Sequence, residues 1–553
     1  MKLNGHNFIF KFTYTIYMNG IFNNQHLVLK RRKFDKNLII TLITGIIFSV
    51  IFSAYSIYKY YSLDASAYDL GLHSNILWNA IHGESFYTGL LGGNFLAEHF
   101  APFEYLQLPL YYLYPSPVSL LLFQDIFLAI SVIPLYEILK FLLKNKIKND
   151  FLYSIIIFIT LFSYELSPFT ASIYSFDFHN MAFLPFFIFM AIYAYLYNKK
   201  ILNIAMLIFI VTLHSNFVYI SLMIILFEMV YSRKYKNLNL MFSEIRPKWL
   251  LLVLFILFTL TGFAYIEFAG IMKGIISGHV SSVTLTTGES GTVPGGLMGM
   301  VRALFTDPAY LFSFISANYM LKISYLVLLF ATTGFMPLYF PEILIIGLPY
   351  FGYAFTSSYG SYYTLGYQYA AMIYPVMFLG IAFGISKIID NLNSNNKNRL
   401  TPKKIYNYYK SHGQNNIIKV IIVILIIGLI LGLVYNPLVP YDSMAPNDIS
   451  GIHMTPDTRF LLNERKYIPE NSTILVENNL MPLFSDYKNV YSPPFSPLPN
   501  YTEFDYIIYM NNTFWADTGG NNSLIYIATY LLDHGYITPY AEYNNQVIIL
   551  KKA

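Results

Sequence analysis

The sequence predicts an α-helical polytopic membrane protein with about eleven spans and a small C-terminal extracytoplasmic α/β domain. Three observations lead there. The 553-residue chain is 56% hydrophobic and only 12% charged, about half the charge of an ordinary soluble domain. Its apolar residues come in runs of 18 or more, enough to cross a hydrocarbon core of about 30 Å as helix. Its Lys and Arg residues gather in alternate connections, as in chains that keep their basic loops in the cytoplasm.

The apolar runs place spans at 38–60, 118–139, 151–173, 181–197, 201–213, 217–231, 249–269, 319–340, 341–355, 368–389 and 417–437. In lipid each must be a helix, because only a helix pairs every backbone N–H and C=O within the segment. Orientation follows from charge. Lys30, Arg31, Arg32, Lys33 and Lys36 precede the first span; Lys140, Lys144, Lys146 and Lys148 follow the second; Lys199 and Lys200 follow the fourth. Further basic clusters lie in 232–248 and 387–419, whereas the opposite inter-helix loops hold only Lys273 and Arg302. The N-terminal segment, 1–37, is therefore expected in the cytoplasm. The membrane domain is 38–437, with outer loops at 62–117 and 270–318, and residues 438–553 lie outside. The location expected is the cell membrane.

The absence of cysteine excludes disulfides, thiolate metal sites and cysteine nucleophiles. No cleavable signal peptide is read at the start, where the chain is mixed polar and aromatic. The C-terminal region carries strand patterns at Ser472–Glu477, Tyr506–Met510 and Val547–Leu550, with a helix at Ser523–His534 ended by Gly535. Its four N-x-S/T sequons, at Asn471, Asn500, Asn511 and Asn521, agree with an outer location.

The first outer loop holds the chemistry. It contains Asp64, Asp69, His73, His82, Glu84, Glu98, His99 and Glu104, and no Lys or Arg from Leu63 to Pro117. Asp69–His82 reads as a helix ended by Gly83. One of its stripes is apolar (Leu70, Leu77, Ile81), another polar (Asn75, Asn79, His82), and the polar one can face a cavity. Asp69 opens a compact Y-D-L-G-x-H-x-x-x-x-W-x-x-x-H-G pattern beside the bilayer and is the candidate general base. Glu84 and Glu104 read as ordinary solvated acids.

Other outer segments offer partners: Asp177 and His179 in Y-S-F-D-F-H-N, His214, and His99 in E-H-F-A-P-F. Histidines and carboxylates can bind a divalent metal ion as cofactor, although no spacing matches a defined metal motif. Histidines bridging helix ends are the plainer alternative for His179 and His214. Lys273 and Arg302 can neutralise a lipid phosphate, or snorkel at the interface. The Tyr-rich stretch Tyr359–Tyr369 reads as an interfacial aromatic belt.

Y-D-L-G (Tyr68–Gly71), Trp78, His82-Gly83, Gly93–Phe95, E-H-F-A-P (Glu98–Pro102) and Leu108–Pro117 resemble a mainly archaeal and bacterial family of predicted membrane proteins of unknown function. So do F-H-N near His179 and Gln368–Pro375. The layout is similar to the GT-C membrane glycosyltransferases, which have an acidic catalytic residue in the first outer loop and often an outer C-terminal domain. That resemblance implies sugar transfer from a polyprenyl-phosphate-linked donor, with Asp69 as the catalytic acid position. His73, His82, His99, Asp177, His179, His214, Lys273 and Arg302 would then be substrate-binding. Where many of those enzymes place a second acid nearby, this chain has Leu70-Gly71. The alternatives are a transporter or lipid flippase, signalled by Glu165 and Glu228 inside spans, and a non-catalytic scaffold. Membrane lipid is an expected partner; nucleic acid is not.

Overall fold

In the computed structural model, apolar helices are joined to a five-stranded C-terminal sheet. The structure describes residues 35–234, 248–277, 302–393, 413–438, 454–493, 496–511, 514–517 and 523–553. Most of the N-terminal segment, the middle of the 270–318 loop, much of the basic 391–416 segment and Asn521 lie outside the described residues.

Among the described residues, five helices are long and apolar enough to span a membrane: Lys36–Tyr61, Pro117–Leu143, Ser215–Lys234, Gln368–Asn393 and Gln414–Val434. Two bent pairs raise this to seven if each is one span: Asp150–Glu165 with Pro168–Tyr174, at 44°, and Pro308–Ser316 with Tyr319–Ala331, at 64°. The expected fourth, fifth and ninth spans are shorter apolar helices, Asn180–Leu196, Lys200–Leu213 and Pro341–Phe355. Local sequence fixes the helix starts. Ser116 accepts a hydrogen bond from Val118 N–H with Pro117 in the first turn, and Ser167 does the same for Phe169 beside Pro168. Asn149 caps Asp150–Glu165 through Phe151 and Leu152 N–H. Ile43, Ile46 and Val50 on the first helix, and Val423, Ile427 and Ile430 on Gln414–Val434, point away from the protein. Two such apolar faces suit lipid and would be costly in water.

The first loop forms a short hairpin, β1 (Tyr87–Thr88) with β2 (Gly93–Asn94). The C-terminal strands are β3 (Thr473–Val476), β4 (Asn489–Tyr491), β5 (Tyr506–Met510), β6 (Ile537–Tyr543) and β7 (Val547–Lys552). Their order is β4-β3-β5-β7-β6. β3 is parallel to both β4 and β5, whereas β7 is antiparallel to β5 and β6. The helix Leu524–Asp533, capped by Ser523, packs its buried face on this sheet.

The sheet docks on the helix Leu72–Ile81 of the first loop. Asn75 Nδ2 donates to Ser485 O (2.9 Å) and Tyr487 O (2.8 Å). Ser485 Oγ bonds Ser74 Oγ at 2.8 Å, and Lys488 pairs with Glu84. Gly71 lies so close to Met481 that a Cβ there would sit 2.3 Å from its sulfur. The polar stripe therefore faces backbone carbonyls rather than the expected cavity: Asn75 meets Ser485 O and Tyr487 O, and Asn79 meets chiefly Tyr87 O of the hairpin. Several residues of the Tyr-rich stretch also lie inside the protein: Tyr362 and Tyr363 are buried, with Tyr362 Oη 2.6 Å from Tyr353 Oη.

Candidate functional site

Asp69 sits in a wide turn, Ala67–Gly71, that precedes the helix; Gly71 N–H reaches Ser66 O five residues back. Wide turns of this kind recur at functional sites. Ser66 joins two acids from distant segments. Its hydroxyl donates to Asp69 Oδ2 (2.9 Å), and its backbone N–H donates to Asp177 Oδ2 (2.8 Å). The second acid beside Asp69 is thus Asp177, supplied by the loop between Pro168–Tyr174 and Asn180–Leu196.

Lys59, at the end of the first helix, holds that loop. Its Nζ donates to Ser175 O (2.8 Å) and to Phe176 O, and lies 3.6 Å from Asp177 Oδ1. Burial raises the Asp177 carboxyl to about 7; Lys59 opposes the rise and the negative charge of Asp69 adds to it. Asp69 is raised too, chiefly by desolvation, against the Ser66 hydrogen bond and the charges of His73 and Lys59. A cavity of about 300 Å³ opens here, lined by Lys59, Asp64, Ala65, Ser66, Phe176, Asp177, Leu365, Gly366, Tyr367, Asn478 and Asn479. Asp69 does not line it but stands one hydrogen bond behind, through Ser66.

A second polar cluster lies on the far side of Asp69. His73 Nδ1 comes 2.9 Å from Glu104 Oε1, off the line of a good hydrogen bond. Asn180 Nδ2 donates to the same oxygen (2.7 Å), and Gln107 Nε2 donates to Asn180 Oδ1 (2.7 Å). Glu104 is fully buried, so the solvated reading of this acid is corrected: it accepts from Asn180 and lies against His73. The His73 and His179 rings lie 5.8 Å apart, those of His99 and His214 6.0 Å. Burial, with the neighbouring imidazoles, lowers His179 well below the ordinary value; burial, His99 and Lys273 lower His214 to about 3. Each also caps a short helical turn, accepting from Met181 N–H and Asn216 N–H respectively. Among the described residues no three His, Asp or Glu side chains are placed to hold a metal ion.

The structure thus brings together Asp69, His73, Asp177 and His179. His99 and His214 adjoin them, with Lys273 half-buried nearby. It leaves out His82, which is exposed, stacks on Trp78 at 3.9 Å and bonds Trp78 O. Arg302 is exposed and does not line the cavity. Sequence reasoning missed Lys59, Ser66, Asn478 and Asn479. Two signals were available: Lys59 is a cation at the wrong end of its span for the charge rule, and Asn478–Asn479 directly follow a predicted strand.

Apolar helices, an acid pair at one end of the bundle and a sheet docked over it define a polytopic membrane protein with a polar cavity at the domain contact. The chain belongs to the family described as "Predicted membrane protein (DUF2079)", whose model matches residues 59–536. Comparison with curated proteins finds no match.

Proposed function

We propose that this protein is a GT-C-like glycosyltransferase of eleven passes, with its N-terminus in the cytoplasm and its acidic loop and sheet outside. It moves a sugar from a polyprenyl-phosphate-linked donor to an extracytoplasmic acceptor. The observation that carries the reading is the pairing of Asp69 with Asp177 through Ser66 beside a cavity. It provides the second acid that the sequence around Asp69 lacks. The short helices Asn180–Leu196, Lys200–Leu213 and Pro341–Phe355, together with the 30-residue helix Lys248–Ser277, complete the eleven passes.

In this reading the acceptor hydroxyl oxygen attacks the anomeric carbon, and its proton passes to the Ser66 hydroxyl, which gives its own to Asp69. The bond from that carbon to the phosphate oxygen breaks, and the phosphate leaves with the electron pair. Asp177, balanced by Lys59, orients the acceptor. Lys273, near His99 and His214, is the cation offered to the departing phosphate, where negative charge develops. The test is transfer from a lipid-linked sugar in reconstituted vesicles. Asp69→Asn lowers it by roughly 100-fold or more, the scale of losing a general base; full activity in that variant removes the catalytic assignment.

One observation favours a transporter instead. Glu165 is fully buried at the break between Asp150–Glu165 and Pro168–Tyr174, and neither of its oxygens has a hydrogen-bond partner among the described residues. A buried acid at a broken helix is a transporter feature. Solute uptake into vesicles that needs Glu165 and ignores Asp69 would select this second reading.

A further inference from the structure

We infer that the cavity binds a neutral, hydroxyl-bearing group, a sugar ring or a polyol, and that the C-terminal sheet supplies part of its recognition through Asn478 and Asn479. The inference rests on the transferase reading only in calling this group a substrate.

Placement is the first argument. β3 has β4 on one side and β5 on the other, both parallel to it, so the chain reverses its winding at β3. In parallel sheets the crevice outside the carboxyl ends of the strands at such a point is where ligands bind. Asn478 and Asn479 stand just past the carboxyl end of β3 and line the cavity.

Charge is the second. An ammonium has three N–H donors. Two of those of Lys59 go to Ser175 O and Phe176 O, and its charge faces the Asp177 carboxyl 3.6 Å away. The other charged groups of the wall are Asp64 and Asp177, with Asp69 behind. Among the described residues Lys59 is the one cation of the wall, set against Asp64 and Asp177, so the cavity does not favour an anionic phosphate. A cation is not required either, because Lys59 already balances Asp177.

Hydrogen bonding is the third. Asn478 Oδ1 accepts from Ala67 N–H at 3.1 Å, which fixes the side chain at the domain contact. Asn479 Oδ1 is buried with no partner among the described residues, and an orphaned buried acceptor costs about 1–3 kcal/mol. The wall is rich in acceptors, and hydroxyl groups are the matching donors. The rings of Phe176 and Tyr367, 5.7 Å apart, offer an apolar surface to the carbon face of such a ligand. A volume of about 300 Å³ is at the small end for ligand sites and suits one ring.

Because the chain has no cysteine, Leu365→Cys places a single thiol on the cavity wall of the full-length protein without removing a group the ligand is argued to touch. The rate of its modification by a maleimide is measured in lipid nanodiscs. The additives are methyl glucopyranoside, methyl galactopyranoside and methyl mannopyranoside, with inorganic phosphate and methylammonium compared at equal concentration. At least one pyranoside slows labelling, by roughly tenfold at ten times its Kd, and phosphate and methylammonium do not. Adding Asn479→Ala removes the protection. Asn500→Cys, exposed and away from the cavity, labels equally with every additive and so controls for any effect of the additives on the maleimide itself. Protection by phosphate or methylammonium alone, protection by none, or protection that survives Asn479→Ala would overturn the inference. Pyranoside protection in a protein that transfers no lipid-linked sugar would leave the binding site standing and remove the transferase. Loss of transfer in Asp69→Asn without pyranoside protection would remove only the site proposed here.

Discussion

Asn75→Asp and Asn75→Ala separate the docking role of the first-loop helix from a cavity-lining one. The Asn75 side chain is fully buried, and its amide nitrogen donates to both Ser485 O and Tyr487 O. Alanine removes both donors and leaves two buried carbonyls unsatisfied, at about 1–3 kcal/mol each. Partial relaxation puts the expected loss of docking free energy at roughly 3 kcal/mol. Aspartate keeps the shape but has only acceptors, so it sets a carboxylate against two carbonyl oxygens and must cost more than alanine. The assay is native-state hydrogen exchange at the amides of residues 483–491, which report release of the sheet from the loop. A loss of about 3 kcal/mol speeds exchange there by roughly 150-fold in alanine, and by more in aspartate. An exchange rate in Asn75→Asp equal to that of the wild type would refute the docking argument. So would faster exchange confined to residues 72–81.

Other predictions follow from neighbouring geometry. A Cβ at Gly89 would meet Val490 O at 2.4 Å, a backbone atom with no rotamer to escape to, whereas one at Gly93 has open space. Gly89→Ala therefore costs about 1–3 kcal/mol and loosens β4, and Gly93→Ala changes neither thermal stability nor exchange; equal effects would contradict the packing. Asp177, raised to about 7 in the folded protein from 3.8, binds its proton more tightly folded than unfolded. Its contribution is thus favourable at low pH and is lost as pH rises from about 4 to about 7, by about 4 kcal/mol in all. Thermal unfolding at pH 5 and pH 8 measures this: wild type loses more stability on going up than Asp177→Asn, and parallel slopes would refute the assignment.

Much of the membrane region was legible, because a run of apolar residues in lipid has one solution, the helix. The strands β3, β5 and β7 were legible because their Ile, Val and Tyr residues alternate or cluster plainly; β4 is three residues long and β6 carries Pro539 and Glu542, so neither has a clear pattern. What could not be read was which polar face meets what. Asn75 and Asn79 look the same on a helical projection whether they line a cavity or bond a neighbouring backbone. Glu104 looks solvated in a charged loop, and only the fold brings His73 and Asn180 to it. The Asp69–Asp177 pair depends on Ser66 meeting a loop 111 residues further on, a closure no local signal encodes.

The placement of the acidic loop decides whether any of this chemistry can act on an outer substrate. With no native thiol to interfere, Asp64→Cys in intact cells can be challenged with a membrane-impermeant maleimide, and Lys144→Cys serves as the opposite-side reference. Labelling at 64 before permeabilisation, and at 144 only after it, is the predicted result. The reverse order would turn the molecule over and take the proposed function with it.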